Sequence, residues 1–140
     1  MKFLLDTHTF IWFITGNHQL PVPLRILNET IENQRLISMA SLWEIAIKMS
    51  LGKLDMGAPF SALVPGQLTT NRIEILPITV AHLHHVAQLP FHHRDPFDRL
   101  LIAQSQVEEV PLLSRDATVD RYNVQRIWTD GPAAATRHNS

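Results

Sequence analysis

Short apolar runs alternate with stretches of helical periodicity along this chain, and that alternation constrains its fold more than any other feature. The apolar runs are the predicted strands, and they lie at 2–5, 35–38, 73–76, 110–114 and near 125–128. The stretches between them carry apolar residues at helical spacing. Strands that alternate with helices pack as a parallel sheet covered on both faces, so the sequence predicts an α/β fold.

Length and composition bound the class of protein. A chain of 140 residues with 45% hydrophobic and 18% charged residues is typical of one globular domain. We expect that domain at 1–130 and a disordered tail at 131–140, where an alanine run shows no periodicity. No apolar run approaches the roughly 18 residues of a membrane span, and the first residues do not resemble a secretory signal. The absence of cysteine fits a cytoplasmic protein and excludes thiolate metal sites.

The charge balance is close to neutral. The net charge is −1 at pH 7, with 12 Lys and Arg against 13 Asp and Glu. Such a balance argues against nucleic-acid binding by a basic surface alone. The argument weakens if divalent cations neutralise several carboxylates, because the local charge then becomes positive.

The clearest helix start lies within residues 92–107. Asp95 is predicted as the N-cap, Pro96 as the first helical residue and Asp98 as the third. The apolar stripe of this helix is predicted at Leu100, Ala103 and Val107. Both aspartates therefore have an ordinary explanation, one as a cap and the other as a charge placed well against the helix dipole.

Three other helix starts follow from capping residues. Thr7 is predicted to cap the first helix, and Thr79 a helix that runs to about Leu89. Ser41 is predicted to open a third helix, with Glu44 completing a capping box. A broken helix or a long connection is expected between 52 and 71, which hold three glycines and two prolines.

Four acidic side chains are expected to meet at one edge of the sheet. Asp6 and Asp116 each follow a predicted strand, and open parallel sheets bind ligands at the carboxyl edge, where the strand order reverses. Glu44 and Asp98 lie in the first turns of predicted helices that project over the same edge. Each also has a structural explanation: Asp6 can start a turn, Asp116 can cap a short helix, and Glu44 can pair with Lys48.

Carboxylates that meet without compensation repel one another, which raises their pKa values. Oxygen-preferring divalent ions such as Mg²⁺ or Mn²⁺ remove that repulsion. A pair of such ions can activate water and stabilise the leaving oxygen in the cleavage of a phosphodiester. The acidic set therefore predicts a metal-dependent phosphodiesterase.

Other polar groups leave alternatives open. A zinc site could be built from histidines, although exposed histidines explain them equally well; the candidates are His82, His85, His92 and His93. Arginines flank the acidic residues and either contact RNA phosphates or form ion pairs with the carboxylates; they are Arg94, Arg99 and Arg115. Trp12 and Phe13 are expected in the core rather than on a surface that stacks on bases.

Four motifs make the chain resemble a known family. They are LLDTH at 4–8, SLWEIAIK at 41–48, DPFDRLLIAQ at 95–104 and SRD at 114–116. In this order they resemble PIN-domain ribonucleases, and in particular the VapC-like toxins of bacterial toxin–antitoxin pairs. The resemblance extends over residues 1–128. It implies a single PIN-like α/β/α sandwich whose parallel sheet has the strand order 3-2-1-4-5.

The resemblance also implies an activity, a cofactor and partners. The expected activity is Mg²⁺- or Mn²⁺-dependent endoribonuclease cleavage of RNA, leaving 5′-phosphate and 3′-hydroxyl ends. The expected partners are the RNA substrate, a small cognate antitoxin encoded alongside, and a second copy of the chain in a homodimer. The family's acidic quartet of metal ligands and catalytic residues corresponds by position to Asp6, Glu44, Asp98 and Asp116. Asp95 is then an N-cap or an outer ligand, and Ser114 matches a position where a hydroxyl often supports the site.

The alternative is a catalytically silent PIN-like or receiver-like binding module on a similar sheet. A receiver would place paired acids at the end of its first strand and a lysine late in the chain. Here His8 and Arg126 do not supply them. A silent module would not need all four acids.

Overall fold

The computed structural model describes residues 1–130, which form five strands, seven α-helices and one 3₁₀ helix. The strands are β1 (Lys2–Leu5), β2 (Gln34–Ser38), β3 (Ile73–Leu76), β4 (Leu112–Leu113) and β5 (Arg126–Ile127). The helices are α1 (Thr7–Thr15), α2 (Val22–Glu29), α3 (Met39–Ser50), α4 (Phe60–Leu63), α5 (Gly66–Thr70), α6 (Val80–Gln88) and α7 (Pro96–Glu108), and the 3₁₀ helix is Ala117–Arg121. Of these helices, none combines the length and apolar character needed to span a membrane. The tail predicted at 131–140 lies outside the described residues.

The five strands form one parallel sheet in the order β3-β2-β1-β4-β5, which confirms the predicted order. Leu4 of β1 is in register with Leu36 of β2 and Leu112 of β4. The strand order reverses between β1 and β4. At that point the Asp6 N–H donates to the carbonyl of Leu113 over 3.1 Å, so the carboxyl ends of β1 and β4 lie side by side.

Helices cover both faces of the sheet, because successive strand side chains point to opposite sides. On one face, Phe3 and Leu5 pack with side chains of α1, α2 and α3; the buried helical members are Phe10, Phe13, Leu24, Leu42 and Ile45. On the other face, Leu4 packs with α7 and the segments around it; the buried members include Leu101, Ile102, Val110, Val119 and Tyr122. The fold is the predicted α/β/α sandwich.

Two helix starts differ from the prediction, because the strands before them run directly into helices. Ser38, the last residue of β2, is the N-cap of α3, and its Oγ accepts from the Ala40 N–H over 3.0 Å. Ser41 and Glu44 therefore lie inside α3 and do not form a capping box. Asp6, rather than Thr7, is the N-cap of α1, and its Oδ1 accepts from the Thr9 N–H over 2.8 Å.

Helix α7 begins as predicted but buries a different face. Asp95 is its N-cap, and its Oδ1 accepts from the N–H groups of Phe97 and Asp98 over 2.7 and 3.2 Å. The predicted stripe is only partly right, since Leu100 and Val107 are only half-buried. Because α7 contacts α3, α6 and β4 together, its buried surface is broader; it consists of Arg99, Leu101, Ile102, Ala103, Gln104 and Ser105.

Arg99 is a buried structural arginine, so both predicted interpretations of it, an RNA contact and an ion pair with the acids, are wrong. Its guanidinium donates to the carbonyls of Pro90, Val86 and Leu89 over 3.0, 3.1 and 3.3 Å. It also lies 4.0 Å from the ring centroid of Phe91. Arg99 therefore fixes the end of α6 and the connection to α7, because helix-terminal carbonyls lack partners of their own.

We predict that Arg99→Met destabilises the protein by about 2–3 kcal/mol, because buried carbonyls lose a charged donor. The matched control is Arg94→Met, at an exposed position on the same connection, which should change the free energy of unfolding by less than about 0.5 kcal/mol. Urea unfolding of the two variants and the wild type measures the difference. Equal stability of both variants would contradict the structural assignment of Arg99.

Candidate active site

Three of the four predicted acids line one cavity at the carboxyl edge of β1 and β4. Asp6 follows β1, Asp116 follows β4, and Asp98 lies in the first turn of α7. Their cavity has a volume of about 260 Å³. The other residues that line it are His8, Leu101, Ile102, Leu112, Ser114 and Val119.

Asp6 and Asp116 have the structural roles that the sequence predicts for them, and they line the cavity as well. Asp6 caps α1, and Asp116 caps the 3₁₀ helix by accepting from the Thr118 N–H over 2.9 Å. A carboxylate has two oxygens with about four lone-pair sites, so a capping oxygen leaves acceptor capacity free. Asp98 has no capping role, because Asp95 caps α7 in its place.

Burial and neighbouring carboxylates make Asp98 hard to ionise. Burial is the largest cause, Asp95 adds to it, and together with weaker effects they raise the pKa of Asp98 to about 6. Glu44 and Asp6 contribute in the same direction, whereas His93 opposes the rise. The pKa of Asp98 therefore rises as expected, but burial and Asp95 contribute more to the rise than the other acids of the predicted quartet do.

Asp116 shifts the other way, so the expected rise in pKa is wrong for this residue. Burial works to raise its pKa, but hydrogen bonds from His93 and Thr118 outweigh burial, and the pKa of Asp116 falls below its usual value. His93 Nε2 lies 2.7 Å from Asp116 Oδ2. Ser114 supports the turn, since its Oγ accepts from the Asp116 N–H over 3.1 Å.

Glu44 is close to the cavity but does not line it. The residue is buried, and Thr7 Oγ1 lies 2.9 Å from its Oε1. Lys48 Nζ donates to Oε2 over 2.9 Å, which is the predicted pair one helical turn apart. Thr7 also lies 2.9 Å from Ser41 Oγ, so two hydroxyls tie α3 to the first turn of α1. Glu44 acts on the cavity through its charge, which contributes to the raised pKa of Asp98.

The donor set at the cavity fits a hard divalent cation. The candidate ligands are carboxylates, and the chain has no cysteine; oxygen ligands of this kind suit Mg²⁺ or Mn²⁺. Within residues 1–130, no three His, Asp or Glu side chains are already drawn together as a metal site.

The zinc alternative is not supported, because no group of three potential metal ligands is found within residues 1–130 and His82 and His85 have other partners. His82 is fully buried rather than exposed: its Nδ1 accepts from the Thr79 N–H over 3.0 Å, and its Nε2 lies 2.8 Å from Glu108 Oε2. His85 contacts Gln106 instead. These contacts hold α6 against α7.

A second cavity adjoins the first and shares Asp6, His8 and Asp116 with it. Its volume is about 270 Å³, and its walls are formed by Asp6, His8, Trp12, Arg115 and Asp116. Trp12 is half-buried, while Phe13 is in the core as predicted. The guanidinium carbon of the exposed Arg115 lies 5.9 Å from the Trp12 ring centroid. An aromatic ring and a cation therefore border the acids on one side.

Sequence reasoning missed Thr7 and His93 as parts of the site. Thr7 adjoins Asp6 in the chain, and a hydroxyl beside a candidate ligand was the available signal. His93 lies two residues before Asp95, but its contact with Asp116 joins segments distant in sequence. No local pattern predicts such a contact.

Known proteins with similar sequence and structure support this description. Over 60 residues, 43% of this chain, it is 38% identical to a ribonuclease of Mycobacterium tuberculosis named VapC16, and covers 41% of that relative's length. Among solved structures, VapBC2 from Rickettsia felis bound to a promoter DNA fragment matches with a TM-score of 0.69 and 18% identity over 91% of this chain and 99% of that one. VapBC-1 from nontypeable Haemophilus influenzae matches with a TM-score of 0.62 and 14% identity over 91% and 97%. At these identities the structural likeness is one of fold.

A family model covers most of the chain. The model of the PIN domain matches residues 3–125. This range includes the four acids of the predicted quartet and Asp95, and it leaves out only Lys2 and β5 of the sheet. The fold, the strand order and this match lead to one conclusion: the chain belongs to the PIN domain family.

Proposed function

We propose that this protein is a divalent-metal-dependent endoribonuclease that acts as the toxin of a toxin–antitoxin pair. The observation that carries the proposal is the cavity lined by Asp6, Asp98 and Asp116, with the pKa of Asp98 raised to about 6. A carboxylate that burial and neighbouring charges make hard to ionise, in a cavity with two others, suits a cation ligand. The name of the M. tuberculosis relative and the toxin–antitoxin character of the solved neighbours support the same function.

The three cavity aspartates and Glu44 would have different roles in binding a cation. Asp6, Asp98 and Asp116 would be its ligands, and Glu44 would orient a second ion or the attacking water from behind Thr7. A bound Mg²⁺ or Mn²⁺ would neutralise the carboxylates, lower the pKa of water and stabilise charge on the phosphodiester. The scissile phosphate would lie at the mouth of the cavity, where Arg115 is exposed.

Hydrolysis at this site needs no side-chain nucleophile. Water oxygen would form the new bond to phosphorus as the bond to the 3′ oxygen breaks, which leaves a 5′-phosphate and a 3′-hydroxyl. Ser114 is buried, and its Oγ already accepts a hydrogen bond from the Asp116 N–H. The cavity beside Trp12 and Arg115 offers an aromatic ring and a cation, which suit an unpaired base and a neighbouring phosphate.

The alternative, a catalytically silent PIN-like or receiver-like module, accounts for less of the structure. Receiver-type sheets have the order 2-1-3-4-5, whereas this sheet has the order 3-2-1-4-5. In a catalytically silent module with this sheet, nothing would explain why an aspartate with a raised pKa lies beside two other aspartates. The raised pKa of Asp98 therefore favours the nuclease.

Asp98→Asn should reduce RNA cleavage in Mn²⁺ by about a hundredfold or more, because a ligand charge worth several kcal/mol is lost. The matched variant is Asp95→Asn, which alters the cap of the same helix and keeps the cavity carboxylates. It should retain most activity and change stability by less than about 2 kcal/mol. Cleavage of a labelled RNA by both purified variants measures the contrast. Full activity of Asp98→Asn would overturn the site assignment.

The raised pKa of Asp98 predicts how metal-free stability depends on pH. Between the unfolded value of about 3.9 and the folded value of about 6, the native state holds more protons than the unfolded state. The free energy of unfolding should therefore fall as pH rises through this window. Asp98→Asn lacks this loss. In chelator, the melting temperature of Asp98→Asn minus that of the wild type should therefore increase between about pH 4 and pH 6.5 and stay constant at higher pH. A constant difference across the whole range would contradict the pKa assigned to Asp98.

We also propose two protein partners, a small cognate antitoxin and a second copy of the chain. Several large apolar side chains on and beside α2 are exposed, which suits a surface covered by another protein. They are Val22, Ile26 and Ile31, with exposed fractions of 66%, 59% and 67%. The neighbours from Haemophilus and Rickettsia are VapBC assemblies.

Expression in bacteria tests the toxin assignment. The wild type should arrest growth, Asp98→Asn should not, and co-expression with the small gene beside its own should restore growth of cells that carry the wild type. Immunoblots of the soluble fraction control for equal amounts of protein. Normal growth of cells that contain abundant, soluble wild-type protein would contradict the toxin assignment. The nuclease assignment would then depend on the cleavage assay alone.

A further inference from the structure

His93 makes a contact that neither the helix caps nor the core requires. Its side chain is 8% exposed, and Nε2 lies 2.7 Å from Oδ2 of Asp116, whose side chain is 42% exposed. The other oxygen of Asp116 accepts from the Thr118 N–H. His93 and Thr118 thus hold the carboxylate through both of its oxygens. Because a carboxylate has about four lone-pair sites, acceptor capacity remains for a further partner.

Tyr122 holds the backbone that carries His93. Its hydroxyl accepts from the N–H groups of His92 and His93 over 3.1 and 3.0 Å and donates to the Pro90 carbonyl over 3.2 Å. The Tyr122 ring also lies 5.5 Å from the His93 ring. With Arg99 fixing the start of the same connection, the position of the imidazole is set from two sides.

The other ring nitrogen of His93 indicates that a histidine at position 93 does more than stabilise the fold. Nδ1 is buried and has no hydrogen-bond partner among residues 1–130. Buried polar atoms are nearly always paired, and an unpaired one is costly. An apolar side chain here would avoid that cost, so the imidazole is explained by what its Nε2 does at Asp116.

We propose that His93 is a positioning residue, which orients the Asp116 carboxylate so that its free lone pairs face a divalent cation in the cavity. Ligating carboxylates are commonly fixed by such outer hydrogen bonds, and losing one typically weakens metal binding about 10–100-fold. The inference rests on the proposed function only in that the cavity binds a cation. It assigns His93 no contact with RNA.

The test is the Mn²⁺ dependence of the melting temperature, measured without RNA. Ligand that binds the native state raises the melting temperature, so the response reports the affinity. His93→Leu should melt close to the wild type in chelator and need about 10–100-fold more Mn²⁺ for the same rise. His93→Gln places an amide nitrogen near the position of Nε2 and should recover most of the response. His92→Leu is the matched control, because His92 is exposed and contacts Tyr122 rather than the acids.

The outcomes separate the two proposals. A wild-type Mn²⁺ response that is unchanged in His93→Leu would overturn the positioning role and leave the metal site standing. An equal loss in His93→Leu, His93→Gln and His92→Leu would also overturn it, because the effect would then belong to the connection as a whole. No Mn²⁺ response in the wild type would overturn the metal site and this inference with it. If His93→Leu does not fold, His93→Asn replaces it, since its shorter amide does not reach Asp116.

Discussion

The pairing of β1 with β4 is the constraint on which the site depends. The carbonyl of Leu113 accepts from the Asp6 N–H over 3.1 Å and from Thr9 Oγ1 over 3.2 Å, so the end of β4 is tied to both the end of β1 and the first turn of α1. Because the strand order reverses here, no helix crosses directly between these two strands. The open edge that results is the place where Asp6 and Asp116 can face a ligand.

Two of the three proposed cation ligands at this edge, Asp6 and Asp116, also cap helices, so helix capping already orients their side chains. Hydrogen bonds from His93 and Thr118 to the Asp116 carboxylate lower its pKa. Asp98 receives no such help, since Asp95 takes the cap of α7. Burial, with a smaller contribution from the neighbouring carboxylates, therefore raises the pKa of Asp98 to about 6, while that of Asp116 falls. The cavity therefore holds one aspartate whose pKa is raised and one whose pKa is lowered.

The sequence predicted the layers of this fold well and its long-range contacts poorly. The sequence correctly predicts the alternation of strands and helices and the cap at Asp95, because both depend on local spacing. Strands β4 and β5 are only two residues each, shorter than predicted. Their length depends on how many residues pair with the neighbouring strand, and not on the length of the apolar run. Arg99 was misjudged for a similar reason: its partners are carbonyls of the preceding helix, and no side-chain pattern marks a carbonyl as unpaired. Thr7 and His93 likewise acquire their roles only from residues distant in sequence.

The connection between α6 and α7 shows how one short motif can serve both the fold and the chemistry. Asp95 begins the helix, Arg99 ties its first turns back to the end of α6, and Asp98 between them faces the cavity. A helix fixed at its first turn holds a side chain there more precisely than a loop does, because capping and hydrogen bonds restrain its backbone. Any movement of this connection would displace Asp98 and His93 together. The stability supplied by Arg99 and Tyr122 is therefore what keeps the third carboxylate in place beside Asp6 and Asp116.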